Sequence, residues 1–542
     1  MIYLSQISSL ENILPKTALS LTPISDLTVL RGERASYQIA YTSDETEYYN
    51  VKIDSDINSC ISLYRIGNVP VHRTVHKKIA LEDDNYISTE PGLYPDVLYP
   101  MQRSDTVRGQ FHHQGLWIEI DPRVPVGEHE IRATFSKGEE HAKVTMRLHV
   151  LPIELPKGRM LNYTAVHADC IAHYYKTDVF SEKHWSLLEK FLRIAAKYGT
   201  NMTSVPVFTP PVDTEIGGER LTVQLVDIQK DENGYTFDFS KFDRYISMCR
   251  EVGIDSFFMP QFFTQWGAES AAKFIITENG VTRKAFGWST PSTDEGYLHF
   301  LSQLLPALIA AIKRLGIEKN VYFAISDEPF DEDAIKRYTV LADFMKPYLE
   351  EFEVIDAFMD PEHFKASGAT VPLIPTDRYD YFEGYVDMLC VYYCCAQDCK
   401  VSNRFINMPL YRNRSIGYQF YKHKVDAFFH WALNFYNSQL SIRPLDPFTE
   451  TDADGGFPAG DTFSVYPWHD GPIPSMRLIV FHEALQDLCL FELLETRIGR
   501  DAVISLIEDV MGPVTFENCA RSAAVLLELR KRAIDALQAS TL

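Results

Sequence analysis

The hydrophobic period of this chain changes once, near residue 155, and that change limits what it can fold into. Before it, apolar residues recur at every second position. Tyr37, Ile39 and Tyr41 alternate with Gln38, Ala40 and Thr42, and Leu116, Ile118 and Ile120 alternate with Trp117 and Glu119. Val144, Met146, Leu148 and Val150 alternate with Lys143, Thr145, Arg147 and His149. A period of two describes strands with one buried face, and several such strands between Gly, Pro and Asp turns predict a β-sandwich over residues 1–155. The run Leu151-Pro152-Ile153-Glu154-Leu155-Pro156-Lys157-Gly158, with two prolines and a glycine, reads as a domain boundary.

Beyond it the period becomes helical. Trp185, Leu188, Leu192 and Ala195 share one face of a helix over 182–198, and Gly199 follows where a terminating glycine belongs. A second helix spans 294–315 with Asp294 as N-cap, and Pro306 inside it predicts a kink. A third covers 331–347. Between them, apolar runs at 161–166, 202–207, 321–325, 353–357, 388–393 and 426–431 read as strands. Strand and helix alternating over this length predict a central (β/α)₈ TIM barrel at 156–472. Leu, Ile and Val at helical spacing predict a small, mainly helical C-terminal region at 473–542.

Composition narrows the partners. Lys plus Arg is 52 and Asp plus Glu is 74, a formal charge of −22. Such a chain repels nucleic acid and anionic membrane, so neither is an expected partner. There is no apolar run of about 18 residues and no basic, then apolar, leader in Met-Ile-Tyr-Leu-Ser-Gln, which leads us to expect a cytoplasmic protein. Nine scattered cysteines fit reduced thiols there. Nothing in the sequence settles whether the chain forms a homo-oligomer.

The chemistry concentrates in Phe323-Ala324-Ile325-Ser326-Asp327-Glu328-Pro329, an apolar strand ending in two carboxylates. In a barrel the C-terminal strand ends open onto the active-site face. Successive residues there point different ways, so Asp327 and Glu328 can meet one substrate from two angles, one as proton donor and the other beside developing positive charge. The competing reading is a solvated loop with an acidic N-cap for the next helix. Gln265 and Trp266 follow the apolar run 257–263, Tyr392 and Tyr393 end one strand, and Trp431 and Asn434 follow another. Rings mixed with amides suit a sugar, whose C–H faces stack on rings while its hydroxyls meet polar tips; the plain alternative is core packing. His167 and Asp169, past the first barrel strand, suit a sugar hydroxyl or a metal equally with a capped loop. Cys390, Cys394, Cys395 and Cys399 are spaced C-x₃-C-C-x₃-C, which is not a zinc-ribbon pattern, so no metal is expected. Walker, G-x-S-x-G and H-E-x-x-H motifs are absent.

Taken in order, Arg31-Gly32-Glu33, Tyr94-Pro95-Asp96-Val97-Leu98, His167-Ala168-Asp169-Cys170, Phe263-Thr264-Gln265-Trp266-Gly267-Ala268 and Ser326-Asp327-Glu328-Pro329 form a distinctive series. It continues through His430-Trp431, Gly460-Asp461, Tyr466-Pro467, Gly471-Pro472 and Ser475-Met476-Arg477. The chain resembles the bacterial β-N-acetylgalactosaminidases of glycoside hydrolase family 123 almost end to end. The resemblance implies the sandwich, the barrel and hydrolysis of oligosaccharide or glycoconjugate glycans without a cofactor. It implies substrate-assisted retention: the sugar's 2-acetamido oxygen attacks the anomeric carbon, Asp327 steadies the oxazolinium, and Glu328 protonates the leaving oxygen and then activates water. Such families are exceptions to the two-carboxylate spacing rule of retaining enzymes. Tyr393 is similar to the tyrosine that bonds the acetamido carbonyl, and Trp431 to a pocket wall. Two motifs depart from the family pattern, at Tyr466-Pro467-Trp468 and at His482-Glu483-Ala484, and Trp468 is expected to reshape the pocket. The alternatives are a glycosidase with a separate nucleophile, Glu383 or Asp380, and a carbohydrate-binding protein without turnover.

Overall fold

The computed structural model describes all residues except 17–22, 75–82, 383, 385 and 541–542. Two five-stranded sheets form the N-terminal sandwich. In one, Ala35–Ser43 pairs antiparallel with both Ile2–Ser8 and Gln114–Ile120; in the other, Glu140–Glu154 pairs antiparallel with Gly127–Lys137. Tyr37, Ile39, Leu116 and Ile118 fill the space between the sheets with Phe135 and Met146. The alternation predicts one buried face, yet Ala35–Ser43 is covered on both. Its other side, with Ala40 and Trp117, joins the large core shared with the barrel. Here the polar-looking half of the pattern faces protein, not water.

The two acids on that side are heavily paired. Glu119 accepts hydrogen bonds from Arg34 Nη1 at 2.8 Å and Tyr64 Oη at 3.0 Å, and from the barrel's Lys197 Nζ at 3.0 Å and Tyr198 Oη at 3.1 Å. Asp96, on strand Gly92–Met101, receives Arg477 Nε at 2.8 Å and Tyr466 Oη at 2.5 Å. Both contacts tie sandwich to barrel.

Eight parallel strands close the barrel: Leu161–Thr164, Met202–Ser204, Ser256–Phe258, Val321–Phe323, Glu353–Ala357, Val371–Pro375, Cys390–Tyr392 and Ala427–His430. Closure is made by Leu161 to Thr164 running beside Ala427 to His430 in register. The predicted helices are present. Glu182–Lys197 starts at Ser181, whose side chain accepts from His184 N, and is followed by Gly199 at φ +94°. Glu295–Leu315 starts at Asp294, which accepts from Tyr297 N at 2.9 Å, and runs unbroken through Pro306. A four-stranded sheet, Asp227–Asp231 with Gly234–Asp238, Phe274–Glu278 and Val281–Phe286, is inserted between barrel elements. The C-terminal region is helical, as the sequence predicts: Met476–Ile498, Arg500–Met511 and Ala523–Ala539.

Candidate active site

The chain Val321–Phe323 is short because Asp356, on the next strand, takes over its backbone partners. Its Oδ2 accepts Ile325 N at 2.8 Å and Tyr338 Oη at 2.5 Å. On the opposite side Phe263 N bonds Ile325 O at 3.2 Å, Ser326 Oγ donates to Thr264 O at 2.9 Å, and Trp266 N donates to Asp327 O at 2.9 Å. The chain is thus pinned from both flanks as it leaves the barrel, and Glu328 is held at φ +40°. The capping reading fails here, because the helix Glu332–Leu349 is capped by Asp331, whose carboxylate accepts Ala334 N at 2.8 Å. Asp327 and Glu328 are left free to face the cavity.

That cavity, of about 210 Å³, opens at the C-terminal end of the barrel and is bordered by both acids, Tyr392, Trp431, His167 and Asp169. Burial and then the Glu328 charge push Asp327 up to about 8. Burial also raises Glu328, opposed by a 2.6 Å hydrogen bond from Tyr392 Oη to Glu328 Oε1. Two neighbouring buried carboxyls in one cavity cannot ionise independently, so the pair retains a proton near neutral pH.

Opposite elements build the rest of the wall. Asp169 is buried and receives Arg220 Nε and Nη2, each at 2.8 Å, in a bidentate pair. Burial opposes its ionisation, but the Arg220 charge outweighs this and holds its carboxyl below the usual range. His167 Nε2 donates to Trp431 O at 3.0 Å, which leaves Nδ1 to accept from Arg220 Nη2 at 3.2 Å. Burial and the Arg220 charge bring His167 down to about 4, so it is neutral at physiological pH. The Trp431 ring packs at 4.9 Å from Phe435, and its Nε1 donates to Asp461 Oδ2 at 3.1 Å. Burial raises Asp461 to about 7. Gln265 lines the cavity and donates to Thr214 O at 2.9 Å. Trp266, 41% exposed, stands at the rim at φ +61°.

Four expected contacts are displaced. The hydroxyl that reaches the acid pair belongs to Tyr392, because on strand Cys390–Tyr392 residues 390 and 392 point into the barrel. Tyr393 touches the cavity border, but its hydroxyl accepts Arg404 Nε at 3.1 Å and its ring packs on Phe428 in the outer layer. Asn434 does not line the cavity: its amide clasps the His167 backbone, accepting N at 2.9 Å and donating to O at 3.1 Å. Tyr466 is spent on Asp96 at the sandwich. Trp468 meets Tyr99 of the sandwich edge-on at 5.1 Å and lies away from the cavity, so it does not reshape it. Of the alternative nucleophiles, Asp380 is exposed and outside the cavity lining, and Glu383 lies outside the described residues. Cys394 and Cys395 border the cavity, and among the described residues no group of three or more His, Cys, Asp or Glu is placed to hold a metal ion.

Sequence reasoning missed Arg220, Asp213 and Asp356. The first two sit in a polar loop after the second strand with no local motif, and Asp356 looks like an ordinary strand residue; only their convergence marks them.

A closed parallel barrel with an acid pair and rings at its C-terminal mouth defines the class of barrel glycoside hydrolases. The model for the glycoside hydrolase 123 catalytic domain matches residues 166–494, more than half the chain, and the protein belongs to that family. Its fold is similar to a family 123 glycoside hydrolase from Clostridium perfringens, described in terms of glycolipid glycan hydrolysis: TM-score 0.73 at 15% identity, covering 100% of this chain and 98% of that one. β-Glucuronidases from Parabacteroides merdae (TM-score 0.33, 12% identity, 90% of this chain and 52% of that one) and Dictyoglomus thermophilum (0.34, 9%, 83% and 66%) resemble it more weakly. No curated protein sequence matches.

Proposed function

We propose that this glycoside hydrolase releases β-linked N-acetylgalactosamine from glycans by substrate-assisted, retaining hydrolysis. The observation that carries the reading is the adjacency of Asp327 and Glu328 in one cavity, whose other described carboxylates, Asp169, Asp213 and Asp356, are each held by partners within the protein. If the sugar's own amide oxygen attacks the anomeric carbon, both acids can work from one side. The incoming acetamido N–H donates to ionised Asp327, which balances the positive charge as the oxazolinium ring closes. The proton that Asp327 holds in the free site passes to Glu328 as the acetamido N–H claims the Asp327 carboxylate, and Glu328 gives it to the leaving oxygen. In the second half Glu328, now a carboxylate, takes a proton from water as the water opens the ring. Tyr392 keeps the Glu328 carboxyl oriented in both halves. Trp431 offers a ring face for the sugar's C–H surface.

The cavity volume of about 210 Å³ is below the ~300–1,000 Å³ usual for drug-sized ligands and suits one sugar ring, which favours removal of terminal residues. Beyond it Trp266 and Phe330 are exposed, at 41% and 64%, and give the rim an apolar character toward the aglycone. The deciding test is hydrolysis of nitrophenyl β-GalNAc, β-GlcNAc and β-Gal, with inhibition by the thiazoline analogue of GalNAc. Turnover of the first and inhibition are expected. Turnover of β-Gal alone, without thiazoline inhibition, would overturn the mechanism.

A further inference from the structure

Three cavity carboxylates take no part in this mechanism; Asp169 is paired with Arg220 and Asp356 with Tyr338, which leaves Asp213. Asp213 lies in the loop after Met202–Ser204, is 7% exposed, and borders the same cavity as the acid pair. It carries the left-handed φ of +45°. Among non-glycine residues Asp and Asn adopt this region most readily, and they hold it where their surroundings impose it. They do so here from two other barrel loops. After the eighth strand, Ser441 Oγ donates to Asp213 O at 2.7 Å and Leu440 N donates to Asp213 Oδ2 at 3.0 Å. After the third, Gln265 Nε2 holds the neighbouring Thr214 O at 2.9 Å. Three loops thus converge to fix the backbone here, and one of them also holds the carboxylate.

The electrostatics of Asp213 differ from those of its neighbours. Burial raises it to about 6, against the Leu440 N–H bond and the Arg220 charge, so it is mostly ionised at neutral pH, while the Arg220 guanidinium is bonded to Asp169, Val212 O and His167. Among the described residues Asp213 forms no ion pair, and its single side-chain hydrogen bond is the one from Leu440 N to Oδ2. Oδ1 therefore remains as an acceptor bordering the cavity that, on the proposed function, takes a neutral, hydroxyl-rich sugar. An ionised carboxylate only accepts, so its counterpart must be a donor; sugar hydroxyls are the donors such a ligand carries. A fixed, largely desolvated acceptor gives strong selection, because an analogue lacking the hydroxyl leaves it unpaired.

We infer that Asp213 is a specificity-determining residue that accepts a hydrogen bond from a ring hydroxyl of the bound sugar. The inference rests on the glycosidase function proposed above and deepens it by assigning the contact that reads the sugar's hydroxyls.

The test compares the wild type with Asp213→Asn, which keeps an acceptor for Leu440 N and tolerates a left-handed backbone. Inhibition constants of GalNAc and its 3-, 4- and 6-deoxy analogues are measured against a nitrophenyl glycoside that the wild type hydrolyses. For the wild type one deoxy analogue is expected to bind about 10–100-fold more weakly than GalNAc, the range for a hydrogen bond to a charged group. In Asp213→Asn that ratio should fall to within about 3-fold, the usual yield of a lost neutral partner. Ser441→Ala, which removes only the brace on the Asp213 carbonyl, should reduce the same ratio partly and serves if the first variant does not fold. Equal ratios in all three proteins would overturn the assignment. If acetamido glycosides are not substrates, the proposed function fails, and the deoxy series on whichever glycoside is hydrolysed still decides Asp213.

Discussion

Tyr392 Oη donates a 2.6 Å hydrogen bond to Glu328 Oε1, joining the seventh barrel strand to the turn that follows the fourth. The bond favours the Glu328 anion against the burial that raises its proton affinity. It therefore sets the pH at which the acid yields its proton, and several consequences can be measured.

Tyr392→Phe removes this donor. The Glu328 carboxyl then stays protonated to higher pH, so the basic limb of kcat/KM should move upward. A fall in kcat of about 10-fold is expected from lost orientation. Tyr393→Phe, whose hydroxyl meets only Arg404 in the outer layer, should leave the pH profile in place. An identical profile shift in both variants would refute the distinction between them.

Glu328→Gln should lower kcat by about 10²–10⁴-fold on glycosides with poor leaving groups, because proton donation is worth that much. Nitrophenyl substrates, whose leaving groups need less protonation, should suffer less. A leaving-group series gives the comparison, and a uniform loss would count against Glu328 as the acid.

Asp327→Asn should be slow on every acetamido substrate, since an amide cannot balance the oxazolinium charge. Its stability should change the other way. The folded Asp327 carboxyl is raised to about 8, far above the ordinary aspartate range, so the native state binds a proton more tightly than the unfolded chain. Stability from this group is complete below the unfolded pKa and is lost as pH rises through the folded one. The variant should therefore melt above the wild type at pH 8 or higher, and the difference should vanish near pH 4. Thermal melts across that range provide the check.

Asp96→Ala leaves Arg477 buried without its partner. Removing one member of a buried ion pair costs about 3–5 kcal/mol. Chemical denaturation should show a loss of that size, while KM of the remaining folded enzyme stays unchanged, because neither Asp96 nor Tyr466 borders the cavity.

The site was legible where chemistry and local pattern coincide. Asp327 and Glu328 stand out because an apolar strand ends in two acids, and the barrel places strand ends at its mouth whatever the loops do. The tyrosine pair was ambiguous, since adjacent strand residues face opposite layers and a one-residue choice of phase exchanges them. Tyr466 and Trp468 read as site residues in the sequence yet meet Asp96 and Tyr99, because nothing in their hairpin tells that the sandwich, over 300 positions earlier, packs there.

The sequence by itself determined the layers: period two gives the sheets, period 3.6 the helices, and the acid pair the kind of reaction. Only the tertiary structure decided which residues share the cavity. Arg220 and Asp213 come from one loop and Asp356 from a strand, and each is defined by a partner on another element: Asp169, Ser441 and Tyr338. Burial by those distant partners, not local propensity, sets the charge and the direction of each side chain, and such burial exists only once the barrel has closed.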